Sequence, residues 1–336
     1  MTHSRWLITG GCGFIGTALV RRLLAENPGV RIRVLDNLSV GNLGYLAAAC
    51  DYTVQTREQL GDDSEPPVGV TFFQGDIRNP EDAEAAARGV DVIVHLAANS
   101  GVPYSIEHPR FDMESNVLGA FNMLEAARLN GVGHFVLASS SAVAGAASPP
   151  MHEKMIPRPM SPYGASKLAG EGYCSTYFHS YGVKTVSLRF GNVYGPCPSH
   201  KTSVVSKFIH RALEGLPCEI YGDGKQTRDF IFIEDIVGAV VAAAHYDQGG
   251  EVFQIATSKE RTVGEMAELL AEALGRYGVK VAIEYKEPRR GDVVRNYSDT
   301  TKANTLLGWK ASMELEPGLA VTAEHFCGGA GKNSRS

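Results

Sequence analysis

Nothing in the chain concentrates positive charge: 32 Lys and Arg residues stand against 37 Asp and Glu, a formal net charge of −5. The electrostatic footprint of a protein that tracks a phosphate backbone is missing, so no nucleic-acid partner is expected. No uninterrupted apolar stretch reaches the roughly 18 to 20 residues of a membrane span. The chain also runs into the strand-like Trp6-Leu7-Ile8 without a charged leader and cleavage site. A soluble, cytoplasmic protein with no membrane partner is the expectation. Cys12, Cys50, Cys174, Cys197, Cys218 and Cys327 form no Cys-x-x-Cys pair, and the 10 histidines show no tight ligand spacing. Reduced thiols and no metal site follow. With 44% hydrophobic and 21% charged residues, the disordered, collagen-like and disulfide-scaffold classes are excluded.

What the sequence does have is alternation. Short apolar runs recur at Arg5 to Thr9, Val30 to Leu35, Val70 to Gln74, Val90 to Leu96, His134 to Ala138 and Thr185 to Arg189. Helical spacing fills Phe14 to Glu26, Pro80 to Arg88, Ser115 to Asn130 and Tyr163 to Tyr181. Short strands alternating with longer helices predict βαβ crossovers and a doubly wound parallel sheet, an α/β fold buried on both faces. From about Pro196 the texture changes. Helical segments at Ser203 to Glu214, Glu234 to His245 and Val263 to Tyr277, with strand-like pieces at Phe230 to Ile233, Val252 to Ile255 and Val281 to Tyr285, predict a smaller α+β cap. The expected division is 1–195 for the sheet domain, 196–326 mainly for the cap and 327–336 for a disordered tail. Gly61 to Gly69, acidic with Gly and Pro, reads as a surface loop.

Directly after the first strand, Gly10, Gly13 and Gly16 stand three apart at a strand-to-helix turn. Glycine there permits a tight turn and close approach of backbone to a pyrophosphate, which then faces the amides and positive dipole end of the helix. A Gly-rich turn is also simply a turn. Asp36 ends the second strand, placed to accept hydrogen bonds from ribose hydroxyls and repel a 2′-phosphate, which favours NAD over NADP. Its alternative is an Asx turn. Asp76-Ile77 after the third strand is placed to hold the adenine edge or to make a plain turn.

Tyr163 and Lys167 lie at i and i+4 on one helical face, after the helix entry Ser161-Pro162. A tyrosine is a poor base at neutral pH, and a fixed ammonium beside it favours the phenolate. Alone, the pair reads equally as an amphipathic helix with a snorkelling lysine. The run Ser139-Ser140-Ser141-Ala142-Val143 follows an apolar strand, where hydroxyls at a carboxyl end point into a ligand crevice, or form a polar turn.

Together, Gly10/Gly13/Gly16, Asp36-Asn37-Leu38-Ser39, Asp76-Ile77, His95-Leu96-Ala97-Ala98, Asn116-Val117-x-Gly119, the serine run and Tyr163-x-x-x-Lys167 resemble the extended short-chain dehydrogenase/reductase family. Within it they are most similar to the nucleotide-sugar 4-epimerases. Further matches are Leu188 to Pro196, Tyr221 to Phe230, Arg289-Arg290-Gly291-Asp292 and Leu307-Gly308-Trp309. The resemblance implies a Rossmann-type sheet with a substrate-binding cap, NAD, a UDP-sugar substrate, and a homodimer through Ser115 to Asn130 and Tyr163 to Tyr181. It assigns catalysis to Ser140, Tyr163 and Lys167. Cofactor contacts fall to Gly10, Gly13, Phe14, Ile15, Gly16, Asp36, Asn37, Ser39, Asp76, Ile77, Leu96, Ala97, Ala98, Asn116, Tyr163 and Lys167. Substrate contacts fall to Val102, Ser105, Ser140, Ser141, Tyr163, Asn192, Val205, Tyr221, Arg228, Arg289 and Asp292. Asn192, Arg228 and Arg289 would hold the diphosphate, a suitable clamp of two guanidiniums and an amide; without the family, Arg228-Asp229 reads as a surface ion pair.

Relatives that dehydrate or decarboxylate the 4-keto sugar carry acid/base side chains where this chain has Ser141 and Ala142. Ala142 offers no acid/base group, so the implied reaction is 4-epimerisation of UDP-glucose/galactose, UDP-N-acetylhexosamine or UDP-glucuronate/galacturonate. The competing readings are a net nucleotide-sugar oxidoreductase and a non-catalytic NAD sensor. Three features depart from the pattern: Ala144 where an aromatic is usual, the loop Cys197 to Thr202 with His200 and Lys201, and a long Asn42 to Gly69 segment.

Overall fold

The computed structural model describes residues 3–61, 66–196, 203–288 and 293–328. The chain opens as β1 (Arg5–Thr9), α1 (Phe14–Glu26), β2 (Arg31–Asp36), α2 (Leu43–Ala49), β3 (Thr53–Gln55), β4 (Gly69–Gln74), α3 (Pro80–Ala87) and β5 (Val92–His95). There follow α4 (Val102–Glu107), α5 (Pro109–Met113), a π-helical turn (Glu114–Leu118), α6 (Gly119–Leu129), β6 (His134–Ser140), α7 (Pro162–Tyr181) and β7 (Lys184–Phe190). The remainder is β8 (Asn192–Tyr194), α8 (Val204–Leu213), β9 (Cys218–Tyr221), β10 (Thr227–Arg228), β11 (Phe230–Phe232), α9 (Ile233–Ala244) and β12 (Glu251–Ile255). It ends with β13 (Arg261–Thr262), α10 (Val263–Gly275), β14 (Ile283–Lys286), α11 (Thr301–Leu307) and α12 (Leu315–Gly328).

Eight strands form one sheet in the order β12-β7-β6-β5-β1-β2-β4-β3, every neighbour parallel. The strands read as continuous apolar runs because both faces are covered. Trp6 and Ile8 pack with Val34, Val94, Val136 and Leu188 on one face, and Leu7 with Leu35, Ile93, Phe135 and Leu137 on the other. The order reverses between β1 and β5, which places the ligand crevice above their carboxyl ends. Among the described residues, no helix is long and apolar enough to cross a membrane.

Helix boundaries follow local chemistry. Asn79 caps α3 by accepting from the Glu81 amide, 3.0 Å, with Pro80 at the first turn. Ser161 caps α7 by accepting from the Gly164 amide, 3.1 Å, with Pro162 behind it.

Two expectations need correction. The piece expected as a cap strand, Val252 to Ile255, is β12 and completes the main sheet beside β7, from Glu251 opposite Val186 to Ile255 opposite Phe190. Helix α9 also packs on that sheet beside α1, so 233–255 returns to the sheet layer. The Asn42 to Gly69 segment supplies α2 and the edge strand β3, registered on β4 from Thr53 opposite Thr71 to Gln55 opposite Phe73. Of the expected tail, Cys327 and Gly328 are the last residues of α12, and 329–336 lie outside the described residues.

Beyond the sheet, β14 pairs with β9 and β10 with β13. The cap residues Val205, Phe208, Ile220, Met266, Leu270 and Leu319 continue the core cluster that holds Trp6 and Ile8. Trp309 of the expected Leu-Gly-Trp motif donates its indole N–H to the Asp235 carbonyl, 2.9 Å, and Asp235 accepts from the Ser312 and Met313 amides at 2.9 and 3.0 Å. These bonds tie the stretch before α12 to α9.

Candidate active site

The glycine turn lies between β1 and α1. Gly10 holds a φ of +70°, and a Cβ there would lie 2.7 Å from the Ala97 nitrogen, so only glycine lets the loops after β1 and β5 meet. A Cβ on Gly16 would strike the Gly10 carbonyl oxygen and lie 2.5 Å from the Gly11 Cα. Gly13 caps α1 without a side chain, so the amide end of Phe14, Ile15 and Gly16 faces the crevice. Gly16→Ala is expected to cost about 1–3 kcal/mol through overpacking and to weaken NAD binding at least about tenfold, since the methyl displaces the turn that approaches the pyrophosphate. Thermal unfolding and calorimetric titration check the two effects separately.

Asp36 is buried. Its Oδ1 accepts from the Leu38 amide, 2.8 Å, which is the Asx turn weighed above, and its Oδ2 accepts from the Cys12 amide, 3.0 Å. Burial raises its carboxyl against these two bonds. The Asx turn fixes the carboxylate beside the glycine turn rather than replacing a ribose role, because each oxygen keeps a second acceptor position. Beside it, Asn37 donates to Asp76, 3.1 Å, and the Ser39 amide donates to Asn37, 3.0 Å. Arg78 draws the Asp76 carboxyl down to about 2. The Ile77 carbonyl accepts from the Asn122 amide group, 2.9 Å.

The loop after β5 is fixed from two sides. Thr9 Oγ1 accepts from the Ala97 amide, 3.1 Å, and pairs with His95 Nδ1, 2.8 Å. Burial, then Lys167, pushes His95 down to about 3, so it stays neutral. Leu96 hangs from the Thr9 carbonyl, 3.2 Å, and Ala98 is half-buried. Further on, Asn116 of the π-helical turn clasps Asn99 through both backbone groups, at 2.8 and 2.9 Å, and reaches Asp112 at 2.9 Å and Ser166 at 3.3 Å. Val102 is exposed on α4, but Ser105, expected to face a sugar, is fully buried and donates to the Val102 carbonyl, 2.8 Å.

Ser140 ends β6, and its Oγ accepts from the Ala142 amide, 3.2 Å, capping the turn Ser141–Val143. Gly164 lets α7 close on that turn, since a Cβ would lie 2.6 Å from the Ala142 carbonyl oxygen. Tyr163 is thereby brought to Ser140. Lys167 is buried one helical turn on; its Nζ donates to the Ala138 carbonyl, 2.8 Å, and lies 5.8 Å from the Tyr163 ring centre. Burial pulls its ammonium down to about 8, opposed by Asp112 and Glu171. The phenol departs from the expectation drawn from the pair alone. Burial raises it, the Ser140 hydrogen bond works toward the phenolate, and Asp112 adds to the rise. Desolvation, which spacing along a helix does not reveal, outweighs the Ser140 hydrogen bond.

In the expected diphosphate clamp, Asn192 stands on β8 with its amide on the Asp229 carbonyl, 2.8 Å. Arg228 donates to the Thr227 and Val293 carbonyls, each at 2.7 Å. Asp229 accepts instead from the Thr257 and Ser258 amides, at 2.7 and 3.0 Å, so no Arg228–Asp229 surface pair forms. Tyr221 donates to Glu219, 3.2 Å, and Val205 is buried in α8 among core residues. Arg289, Asp292, Cys197, His200 and Lys201 lie outside the described residues.

Residues not singled out for the site form its back wall. Glu171 takes both Arg189 nitrogens, at 2.8 and 2.7 Å, and the Ser139 hydroxyl, 2.6 Å. Its signal was present, since 163, 167 and 171 share one helical face.

A parallel sheet with a glycine turn at its switch point, an acidic end to the second strand and a Ser/Tyr/Lys set at the carboxyl edge defines a dinucleotide-dependent enzyme of the dehydrogenase type. The chain belongs to the NAD dependent epimerase/dehydratase family, whose model matches residues 6–256. It is 37% identical over 327 residues to the UDP-glucose 4-epimerase of Mycolicibacterium smegmatis, spanning 96% of this chain and 98% of that protein. It is 32% identical over 321 residues to the UDP-glucuronate 4-epimerase of Thermodesulfobacterium geofontis, spanning 94% of each. The crystal structure of Thermus thermophilus UDP-glucose 4-epimerase in complex with NAD matches with a TM-score of 0.82 at 36% identity, over 96% of this chain and 98% of that one. NAD is the cofactor of the family, and the cradle left by the missing Cβ atoms at Gly10 and Gly16, bordered by Asp36, fits its pyrophosphate and ribose.

Proposed function

We propose that this chain interconverts the C4 epimers of a UDP-sugar through a transient 4-keto sugar. The convergence of Ser140, Tyr163 and Lys167 beside the glycine turn carries the reading. When bound, NAD supplies the acceptor and donor of the C4 hydride. Tyr163 takes the proton from the sugar O4, Ser140 hydrogen-bonds that oxygen and favours the phenolate, and Lys167 shares the acid-base load. Burial pulls the Lys167 ammonium down to about 8, so it can give up a proton close to neutral pH. Ala142 presents only its amide to Ser140. With no acid/base side chain there, dehydration lacks a proton acceptor and decarboxylation an acid/base partner, which leaves 4-epimerisation as the open course.

Asn192 and Arg228, with Arg289, are assigned the diphosphate, and Asp36 the adenosine ribose. The sheet with 233–255 is assigned the cofactor, and the rest of 196–326 the sugar nucleotide. Exposed Leu118, Leu129, Tyr173 and Tyr181 on or beside α6 and α7 support a homodimer through those helices. The thiols of Cys12, Cys50, Cys174, Cys218 and Cys327 are unpaired, which supports a reducing, cytoplasmic setting.

The test is incubation of purified protein with UDP-glucose, UDP-N-acetylglucosamine and UDP-glucuronate in parallel, with C4 epimers resolved by proton NMR. Conversion of one toward an equilibrium mixture without net NADH is expected, with UDP-glucose the first pair to examine given the higher identity to its epimerase. Accumulation of NADH or of a 4-keto product with no epimer formed overturns the reading in favour of a net oxidoreductase.

A further inference from the structure

Asp112 stands behind the site and has no part in the mechanism above. It is 1% exposed on α5. Its Oδ1 accepts from the Asn116 side chain, 2.9 Å, while Oδ2 is buried without a hydrogen-bond partner. Such a carboxylate is costly unless a nearby charge offsets it. Asn116 also reaches Ser166, next to Lys167 on α7, at 3.3 Å, and α5 packs against α7; Lys167 is the cation that acts on Asp112. Other groups around the pair are already matched. Glu171 is held by Arg189 of β7, and Arg78 by Asp76. Arg110 and Glu114 pair with each other at the surface, the Tyr104 and His108 rings meet at a tilt at the end of α4, and His95 of β5 is neutral.

We propose that Asp112 is a positioning residue for the Tyr163/Lys167 pair: braced by Asn116, its carboxylate retains the pair's proton and so sets the pH window in which the pair acts as a base. The proposal rests on the acid-base reading of that pair given above. Asp112 raises both Lys167 and Tyr163. Deleting its charge therefore lowers both, and each group gives up its proton at lower pH. Burial raises the carboxyl of Asp112 itself, while Ser166, Lys167 and Asn116 work to keep it ionised.

Asp112→Asn keeps an acceptor for Asn116 and removes the charge. The pH profile of kcat is expected to move to lower pH by on the order of one unit on both limbs. In carbon-13 lysine-labelled protein without substrate, the Lys167 midpoint is expected to fall from about 8 by on the order of one unit, its resonance assigned with Lys167→Arg. Asp112→Glu restores both. A profile altered in height but not in position, with the Lys167 midpoint unmoved, overturns the proposal, since a purely structural role predicts that outcome. The lysine titration needs no substrate, so a chain that converts no UDP-sugar would overturn the functional reading while Asp112 is still decided. If Asp112→Asn does not fold, carbon-13 titration of Asp112 in the unaltered protein decides instead. Ionisation throughout about pH 6 to 9 supports the proposal, and a protonated carboxyl there overturns it.

Discussion

Tyr163→Phe is expected to slow epimerisation by about 10²–10⁴-fold, the range for loss of a positioned general base. That corresponds to about 3–5 kcal/mol of barrier at 1.36 kcal/mol per tenfold. The change removes one oxygen and keeps the ring, so α7, its Ser161 cap and the Lys167 bond to Ala138 should persist. Cofactor affinity is expected to stay within a few-fold of the unaltered chain, because the glycine turn and Asp36 do not touch the phenol. The measurement is single-turnover conversion of the UDP-sugar found active, with NAD affinity taken alongside. A variant that retains full turnover would remove Tyr163 from the reaction and leave Lys167 or Ser140 to be tested as the proton acceptor. A non-catalytic NAD sensor predicts no difference in any function.

The fold was legible where the local pattern and the tertiary structure share a cause. Strands covered on both faces are mostly apolar, with buried exceptions such as Arg33 and Arg189, and β1, β2, β4, β5, β6 and β7 read as short apolar runs from the sequence. The strand β12 is also legible as a strand, but the sheet it joins is not, because pairing partners are non-local; Gln254 in it is fully buried, accepting from Ser298 at 3.3 Å. Nothing in the strand's own letters states which sheet it joins. The same division holds in the site. The glycine turn, Asp36 and the Tyr163/Lys167 face follow from fixed spacings, while the Asn116 clasp does not. The acceptor for Lys167 lies 29 residues away at Ala138, and the rise of the phenol comes from desolvation. Ser105 and Val205, which the resemblance assigns to the substrate, are packed inside, at 0% and 2% exposure. Asp112 was hidden by the brevity of α5 and by the π-helical turn after it, which shifts the helical face that a regular period would have assigned.

The second large effect lies behind the reacting groups. Glu171→Ala is expected to destabilise the fold by about 3–5 kcal/mol, because it leaves the Arg189 guanidinium buried without its carboxylate. Both side chains of the pair are only 5% exposed, so water cannot take over the lost contacts. The Ser139 hydroxyl, 2.6 Å from Glu171, loses its acceptor in the same step. Ser139 directly precedes Ser140 on β6, and Ala138 before it accepts from Lys167. Loosening this strand end therefore reaches the site, and catalysis should fall even at temperatures where the variant remains folded. Urea denaturation followed by circular dichroism measures the stability change. The double variant Glu171→Leu with Arg189→Met separates the two contributions: removing both charges eliminates the unpaired ion, so its stability should recover to well above that of Glu171→Ala. Catalysis should recover less than stability, because Ser139 still lacks the carboxylate that holds the carboxyl end of β6 in register with the first turns of α7. If the double variant is no more stable than Glu171→Ala, the loss comes from packing around α7 and not from the stranded guanidinium.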